Sequence, residues 1–433
     1  MTTLVRADVT DLRFPTSKSA DGSDAMNSDP DYSAAYVRLV TDDDTVYGCG
    51  FTFTIGRGND VCCAAISALA QLIIGESVDD LCNDLGGVHR RLRGDSQLRW
   101  LGPDKGVVNL ALGAVMNALW DMASRRVGKP LWQFVADMTP EQLVDAADLS
   151  HLGNALTRDE ALAIVERGQV GKDERLADLQ ATGYPCYTTS AGWLGYSDEK
   201  LRRLCQEAVD EGYQHIKLKV GADRVRDRER LTIAREVLGP DRKLMIDANQ
   251  VWEVPEAIER VNELADFDLW WIEEPTHPDD VLGHAEIRRA VAPVRVATGE
   301  HGMNRVLFKQ LLQAEAIDFL QLDTCRLAGI CEILAVQMLA AKYGIPVCPH
   351  AGGVGLCELV NHVVMIDHLV IATSKDDRVA EYVDHLHEHF VDPCIVRNAA
   401  YTLPTAPGYS AEIKAETFAE FSYPDGSYWQ ANP

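Results

Sequence analysis

The chain has 433 residues, 46% of them hydrophobic, a length that suits a barrel of about 250 residues together with a second module. Its formal net charge of −25 at pH 7 argues against nucleic acid as a partner, because phosphate backbones would be repelled and no basic stripe offsets the excess. Eleven cysteines without CxxC spacing favour reduced thiols, and no apolar stretch approaches about 18 residues, so we expect a cytoplasmic protein without membrane contact.

The N-terminal part, residues 1–140, is predicted to form an α+β module. Residues 34–54 alternate apolar and polar side chains around an Asp-rich turn, which indicates a hairpin. Helical spacing follows at 60–74 and at 106–132. The polar, Gly- and Asp-rich segment 18–31 is a candidate flexible lid.

From about residue 185 to 375 the pattern alternates between short apolar runs and amphipathic helical segments such as 197–212 and 304–316. Nearly continuous apolar runs are typical of strands buried on both faces. Eight such runs predict a (β/α)8 barrel, and the tail 376–433 is expected to pack back on the first module. The predicted strands are 187–193, 215–221, 243–249, 269–275, 295–300, 318–323, 346–352 and 369–373.

Six residues of catalytic type end successive predicted strands, at separations of 23 to 28 residues. The carboxyl ends of barrel strands converge on one mouth, so these side chains are expected to surround one pocket. The three acids among them are hard oxygen donors, which suit Mg²⁺. Glu273 and Glu274 are adjacent and face opposite ways, so the strand pattern does not choose between them. The six residues are Lys219, Asp247, Glu273, Glu300, Asp323 and His350.

The basic residues of this set indicate proton transfer. Lys217 and Lys219 lie two apart on one strand and point to the same face, where buried ammonium groups are costly unless paired or catalytic. His350 and Asp323 end neighbouring strands, so the aspartate can orient the imidazole as a general acid. Such a site can remove a proton α to a carboxylate and assist loss of a β-hydroxyl group.

The segment DHLHEHF at 384–390 offers a competing interpretation as a zinc cluster of His385, His387 and His389. Alternate spacing fits neither HExxH nor a zinc-finger pattern. We therefore predict a structural or subunit-contact role for these histidines, in a chain expected to form a homo-oligomer.

The motifs KLK at 217–219, DAN at 247–249, EEP at 273–275, GE at 299–300, QLD at 321–323 and CPH at 348–350 resemble the enolase superfamily, in its mandelate racemase-like branch. Longer strings, including RWLGPDKGVV, GYPCYTTSAGWLGYSDE and EYVDHLHEHF, resemble the L-fuconate dehydratases along nearly the whole chain. The resemblance implies an α/β fold, with a (β/α)8-type barrel and an α+β capping domain built from the N-terminal and C-terminal segments.

The resemblance also implies a role for each site residue. Mg²⁺ would be bound by Asp247, Glu273 and Glu300, which chooses Glu273 over Glu274. Lys219 would remove the C2 proton, and His350, paired with Asp323, would assist loss of the C3 hydroxyl group. The expected contacts to the acid-sugar substrate are Lys217, Asn249 and Glu381, with Asp24 and Tyr32 from the lid.

The activity so implied is dehydration of L-fuconate to 2-keto-3-deoxy-L-fuconate. Two alternatives stay open. The first is another acid-sugar dehydratase or an epimerase of the same superfamily; in an epimerase, Lys219 and His350 on opposite sides of a bound acid could each act on the same α proton. A non-catalytic binding protein on the same fold is the second alternative.

Overall fold

The computed structural model describes residues 2–432. Its N-terminal part contains a three-stranded antiparallel sheet in the order β1-β2-β3. The predicted hairpin is confirmed as β2 and β3, and the turn between them is held by Asp43, whose carboxylate accepts hydrogen bonds from Thr45. The first strand was missed by the sequence analysis. The strands are β1 (Leu4–Arg13), β2 (Ser33–Thr41) and β3 (Tyr47–Thr54).

Eight helices follow this sheet before the barrel begins. The longest, α4, packs against β3, where glycines permit close contact. A Cβ atom at Gly48 would lie 2.0 Å from the carbonyl oxygen of Ala118, and one at Gly50 would lie 2.4 Å from that of Ala114. The helices are α1 (Asn59–Ala70), α2 (Val78–Asn83), α3 (Leu85–Arg93), α4 (Gly106–Arg126), α5 (Leu131–Ala136), α6 (Pro140–Ala146), α7 (Arg158–Gln169) and α8 (Lys172–Thr182).

Helix α4 is long and apolar enough to cross a membrane by length and composition alone. The expectation that no stretch approaches this length was therefore wrong. However, 83% of its apolar window is buried inside the protein. Its environment is that of a core helix, since its apolar side chains pack against protein on most sides.

Residues from 184 onward form the expected barrel of parallel strands, which confirms the predicted fold class. Six strands pair in sequence order. The seventh position is the segment around Val347, which bridges Leu320 in parallel. The N–H of Glu381 donates to the carbonyl of Pro349 at 3.1 Å, and β10 pairs with β4 in parallel, which closes the ring. The named strands are β4 (Tyr184–Thr188), β5 (His215–Lys219), β6 (Lys243–Asp247), β7 (Leu269–Glu273), β8 (Arg295–Thr298), β9 (Phe319–Leu320) and β10 (Ala380–Tyr382).

The prediction of an eighth strand at 369–373 was wrong. Residues Asp367–Ile371 continue the preceding helix as a π-helical turn, and the closing strand is β10. A short apolar run fits a buried strand or a buried helix equally well, so periodicity alone does not separate them. Because β10 lies beyond residue 375, we propose that the barrel domain extends at least to Tyr382.

The remaining helices alternate with the strands and then lead into the tail. The tail returns to β1, where the indole N–H of Trp429 donates to the carbonyl of Arg13 at 3.2 Å and Phe14 packs against Phe421. These elements are α9 (Asp198–Asp210), α10 (Arg224–Leu238), α11 (Val254–Glu263), α12 (Val281–Ala290), α13 (Arg305–Gln313), α14 (Ile330–Tyr343), α15 (Leu356–Ile366), β11 (Val396–Arg397), β12 (Ala400–Tyr401), α16 (Ala415–Phe421) and α17 (Ser427–Ala431).

Candidate active site

The polar residues at the barrel mouth are neighbours because their strands pair in register. Lys219 lies beside Asp247 across β5 and β6, and Asp247 lies beside Glu273 across β6 and β7. The Lys219 Nζ is 2.5 Å from Asp247 Oδ2. Burial lowers the pKa of Lys219, but the carboxylates of Asp247, Glu300 and Asp24 together outweigh it and the net shift is upward. In this geometry Lys219 is held as an ammonium ion close to the acids.

Lys217 lies one layer deeper and is fully buried. Its ammonium group contacts the Glu273 carboxylate and lies 3.1 Å from Glu381 Oε1. The ring of Tyr187 is 5.3 Å below it. Burial lowers the pKa of Lys217, while Glu273 and Glu381 together raise it well above its ordinary value. The lysine is therefore a fixed positive charge at the base of the site.

Three buried carboxylates, those of Asp247, Glu273 and Glu300, form a group suited to a metal ion, since one oxygen of each lies within 4.8 Å of the others. Glu273 Oε2 accepts hydrogen bonds from Gln321 at 2.7 Å and from Trp271 at 3.1 Å. Among residues 2–432, Glu300 Oε2 is buried without a hydrogen-bond partner. A buried carboxylate oxygen left in this way is strongly disfavoured unless a cation or donor meets it.

The charge balance of the strand-end residues also fits a divalent cation. Five buried carboxylates face three cationic groups, so the set carries two excess negative charges when every group is ionised. Burial, with the neighbouring acids, raises the pKa of Glu273 and of Glu300, as expected for acids that lack a counter-ion. Buried charge of one sign is costly without a counter-ion. The carboxylates are those of Asp247, Glu273, Glu300, Asp323 and Glu381, and the cationic groups are Lys217, Lys219 and His350.

On the other side of these acids, His350 is bound to Asp323, with 2.7 Å between Nδ1 and Oδ2. Asp323 is itself fixed by the N–H groups of Cys325 and Arg326, each 2.7 Å from Oδ1. Burial lowers the pKa of His350, but Glu300 and the bond to Asp323 raise it to about 10. The imidazole thus has its Nδ1 oriented by a carboxylate, while its Nε2 lies at the cavity, 3.2 Å from the Gly352 nitrogen and 3.7 Å from Glu300 Oε2, where it can exchange a proton.

Three residues just past β6 and β7 have left-handed backbone conformations, which is costly for residues other than glycine. They are Asn249 (φ 44°), Gln250 (φ 68°) and Glu274 (φ 43°). This backbone turns Glu274 toward Gln250 and His301, whose Nδ1 is 2.8 Å from Glu274 Oε1. The structure therefore separates the two adjacent glutamates, with Glu273 on Lys217 and Glu274 on His301.

The mouth opens into a cavity of about 320 Å³, and the segment 18–31 lies over it. That segment is tied to the loop after β4 by bonds from the N–H of Leu194 to the Ser23 carbonyl (3.1 Å) and from the N–H of Gly195 to Ser23 Oγ (3.0 Å). Of the predicted site residues, Lys217, Asp247 and Glu273 lie beneath the cavity. The others line it: Asp24, Tyr32, Lys219, Asn249, Glu300, Asp323, His350 and Glu381.

Sequence reasoning missed several residues of this site, including Thr189, Gln321, His301 and Trp193. Thr189 donates to Glu381, Gln321 holds Glu273, His301 pairs with Glu274, and Trp193 forms part of the cavity wall. Gln321 stands two residues before Asp323 on the same extended segment, so the alternation of facing side chains was a usable signal. The other three follow strand ends in loops, whose direction the sequence pattern does not give.

Comparison with known proteins places this architecture in a family. Residues 200–417 match the family described as "Enolase C-terminal domain-like". A human relative, "Mitochondrial enolase superfamily member 1", is 51% identical over 98% of this chain and 97% of its own length. The chain belongs to the enolase superfamily. The predicted family is thereby confirmed, while neither of these two matches singles out L-fuconate.

Two crystal structures and one further relative are similar to this enolase-superfamily chain over most of its length. The human protein's structure has a TM-score of 0.98 at 50% identity, covering 99% of this chain and 98% of that one. An L-galactonate dehydratase from Hypocrea jecorina is 50% identical over 96% of this chain and 92% of its own length. L-talarate/galactarate dehydratase from Salmonella typhimurium, liganded with Mg and L-lyxarohydroxamate, has a TM-score of 0.73 at 24% identity, with 96% and 92% coverage, and shows the fold alone.

The three histidines of 384–390 have separate surroundings in this superfamily member. His385 packs against Trp193 and Tyr32 at the cavity wall, with ring centroids 5.2 and 5.3 Å away. His389 packs 4.6 Å from Phe14. His387 packs against neither the cavity wall nor Phe14. Its Nδ1 lies 2.7 Å from Glu358 Oε1. Within residues 2–432 the three rings do not converge on one metal position, in line with the interpretation that rejected a three-histidine zinc site.

Proposed function

We propose that this protein catalyses the metal-assisted dehydration of an acid sugar, with L-fuconate as the preferred substrate. One observation carries the proposal. Lys219 and His350, each bonded to a carboxylate, line one cavity around three buried acids whose set holds excess negative charge. Removal of an α proton and loss of a β-hydroxyl group need a base, an acid and a positive charge in this arrangement.

Asp247, Glu273 and Glu300 would hold Mg²⁺, which prefers carboxylate oxygens and keeps positions open for substrate. When bound, Mg²⁺ supplies positive charge that stabilises the enediolate formed from the substrate carboxylate. Two observations support this assignment: the buried Glu300 Oε2 has no hydrogen-bond partner among residues 2–432, and the site has an excess of acidic groups.

In the proposed reaction, Lys219 Nζ takes the proton from C2, and the electron pair moves into the carboxylate to form the enediolate. The acids hold Lys219 as an ammonium ion in the metal-free protein. The Lys217 ammonium group lowers the pKa of Lys219, and Mg²⁺ held by Asp247 would lower it further, toward the neutral amine that a base requires. His350 Nε2 then gives a proton to the C3 hydroxyl group as the C3–O bond breaks, and water leaves. The resulting enol becomes the 2-keto acid by tautomerisation.

The choice of L-fuconate rests on the cavity wall. L-Fuconate and L-galactonate have the same configuration and differ only at C6, which carries a methyl group in the first and a hydroxymethyl group in the second. The cavity lining includes the apolar side chains of Met26, Phe53, Ile55 and Trp193, which favour a methyl group. An apolar wall rejects an added hydroxyl group only modestly, by about 100-fold. L-Galactonate, the substrate in the name of the Hypocrea jecorina relative, is the second candidate.

A direct test incubates the protein with L-fuconate, L-galactonate and L-rhamnonate in D₂O, with Mg²⁺ or with a chelator. We expect a 2-keto acid from L-fuconate, faster than from L-galactonate, and loss of this activity with the chelator. Turnover of L-galactonate or L-rhamnonate without L-fuconate would remove the substrate assignment and leave the reaction standing. Recovered substrate that is deuterated and inverted at C2, without a keto acid, would indicate an epimerase instead.

A further inference from the structure

A second group of metal-binding side chains lies outside the proposed active site. Glu358 in α15, His387 in the loop after β10 and Cys394 before β11 each have a ligand atom within 4.8 Å of the others. His387 Nδ1 lies 2.7 Å from Glu358 Oε1 and 3.6 Å from Cys394 Sγ. The nitrogen and sulfur atoms of this group distinguish it from the all-carboxylate set at the barrel mouth.

The orientation of His387 is that of a metal ligand. Its Nε2 lies 2.8 Å from the carbonyl oxygen of Val383 and donates a hydrogen bond to it. A backbone carbonyl on one ring nitrogen fixes the tautomer that leaves the other nitrogen's lone pair for a metal. Here that nitrogen is Nδ1, which points at Glu358 and Cys394; in the metal-free protein it carries a proton bonded to Glu358 Oε1, and a metal ion would replace that proton. Zn–N and Zn–S bonds of about 2.05 and 2.3 Å at a tetrahedral angle separate the two ligand atoms by about 3.6 Å, and the His387–Cys394 distance matches this value.

Glu358 supplies an independent sign that a ligand is bound here. Its side chain is fully buried, and Oε2 has no hydrogen-bond partner among residues 2–432. The neighbouring residue, Cys357, adds a second thiol, and its Sγ lies 3.9 Å from the Val383 carbonyl oxygen that also accepts from His387 Nε2.

We propose that Glu358, His387 and Cys394 bind one Zn²⁺ ion, with Cys357 as the fourth ligand. Mixed nitrogen, sulfur and carboxylate donors in a four-coordinate set suit Zn²⁺ rather than Mg²⁺. Four protein ligands make the site structural, without an open position for catalysis. Binding releases the protons of the two thiols and of the His387 Nδ1.

The ion would join two segments that carry proposed catalytic groups. Helix α15 begins six residues after His350, and the loop that holds His387 begins just after β10, which carries Glu381. A bond between the helix and the loop fixes both strand ends at the seventh and eighth barrel positions. The site does not depend on the dehydratase assignment, because none of its residues contacts the proposed substrate cavity.

Cobalt(II) is the probe that separates this site from the acidic one. Purified, reduced protein is stripped with a chelator, saturated with Mg²⁺ and titrated with Co²⁺. We expect a thiolate-to-cobalt charge-transfer absorption that saturates at one equivalent and is displaced by Zn²⁺, since carboxylates alone cannot produce this band. Zn²⁺ should also raise the Tm, because it binds the folded chain preferentially.

Variants of single ligands complete the test. Cys394→Ser and His387→Gln should each weaken Co²⁺ binding and reduce the charge-transfer band and the Zn²⁺-dependent rise in Tm, whereas the matched variants Cys63→Ser and His389→Gln should retain both in full. An unchanged circular dichroism spectrum without Zn²⁺ shows that a variant is folded. An unchanged band in Cys357→Ser would show that Cys357 is not the fourth ligand. Absence of the band in the unmodified protein, a band of unchanged intensity in Cys394→Ser, or a Cys357–Cys394 disulfide in the reduced preparation would overturn the site.

Discussion

Lys219 and His350 are each held by one carboxylate, but the two carboxylates have different neighbours. Asp247, which holds Lys219, also lies 3.6 Å from Lys217 and within the proposed metal-binding set. Asp323, which holds His350, is bonded to backbone N–H groups and lies outside that set. Substitutions on the histidine side can therefore test proton transfer without removing a proposed metal ligand.

Replacement of His350 separates the two proton transfers. In His350→Asn, Lys219 can still remove the C2 proton, so exchange of that proton with D₂O should continue while keto-acid formation falls by about 10²- to 10⁴-fold. In Lys219→Ala both should be lost. Mass spectrometry of recovered L-fuconate and a keto-acid assay measure the two processes. Full dehydration by Lys219→Ala would show that the base is another group.

Asp323 is expected to act through His350. In Asp323→Asn the side chain no longer favours the imidazolium form, so kcat should fall by about 10²- to 10⁴-fold with little change in KM. Asp318→Asn, at the opposite end of the same barrel segment, is the control and should keep kcat near that of the unmodified protein. A change confined to KM would contradict the positioning role of Asp323.

At the scale of elements, the capping sheet packs closely on α4 because the strand residues that face the helix at the contact are glycines. The strand residue Gly50 faces backbone atoms of α4, and a Cβ atom there would lie 2.4 Å from the Ala114 carbonyl oxygen and 2.5 Å from the Ala118 nitrogen. Backbone atoms of a buried helix cannot move aside as a flexible side chain can. The absence of a side chain at Gly50 thus sets the distance between the sheet and the helix. The lid segment 18–31 connects two strands of this sheet, so the same contact also supports the lid.

Gly50→Ala should lower the free energy of unfolding by about 1 to 3 kcal/mol, because the added methyl group forces the sheet and α4 apart. Chemical denaturation measures the change. Gly153→Ala is the matched control, since a Cβ atom at that position meets nothing within 4 Å. Equal stability of the two variants would contradict the close approach of β3 and α4.

At the scale of the whole molecule, the barrel, the capping helices and the tail meet at one histidine. His362, in α15, accepts a hydrogen bond at Nδ1 from the N–H of Trp132 in α5, at 3.3 Å, and its Nε2 lies 3.0 Å from Ser410 Oγ in the tail. Burial alone lowers the pKa of His362 to about 3. The ring is therefore neutral in the folded protein across the pH range in which an exposed histidine becomes protonated.

The depressed pKa of His362 makes stability depend on pH. Below its ordinary pKa of about 6.5, the ring takes up a proton when the chain unfolds, so the folded state loses stability as the pH falls from about 6.5 to about 3. This group contributes a slope that approaches about 1.4 kcal/mol per pH unit. In His362→Gln, which can keep both hydrogen bonds, the slope should decrease by that amount.

Urea unfolding at pH 7, 6 and 5 measures the effect. His151→Gln, at an exposed position, is the matched control for the same substitution. An identical dependence of stability on pH in His362→Gln and in the unmodified protein would show that the buried ring does not titrate on unfolding.

The sequence by itself determined the barrel and the ring of residues around its mouth. Strands buried on both faces need nearly continuous apolar runs, so Lys219, Asp247 and His350 stood out as charged or polar residues ending such runs. Their regular separation then placed them at one mouth, because parallel strands in a closed barrel end on the same side.

Only the tertiary structure decided which short apolar run closes the barrel, since residues 369–373 fit a buried helix as well as a strand and pairing with β4 is a long-range event. It also turned Glu274 away from Glu273 through a backbone conformation that the sequence does not reveal. The group of Glu358, His387 and Cys394 comes from three separate segments without a local spacing motif, so its members become neighbours only when the chain is folded.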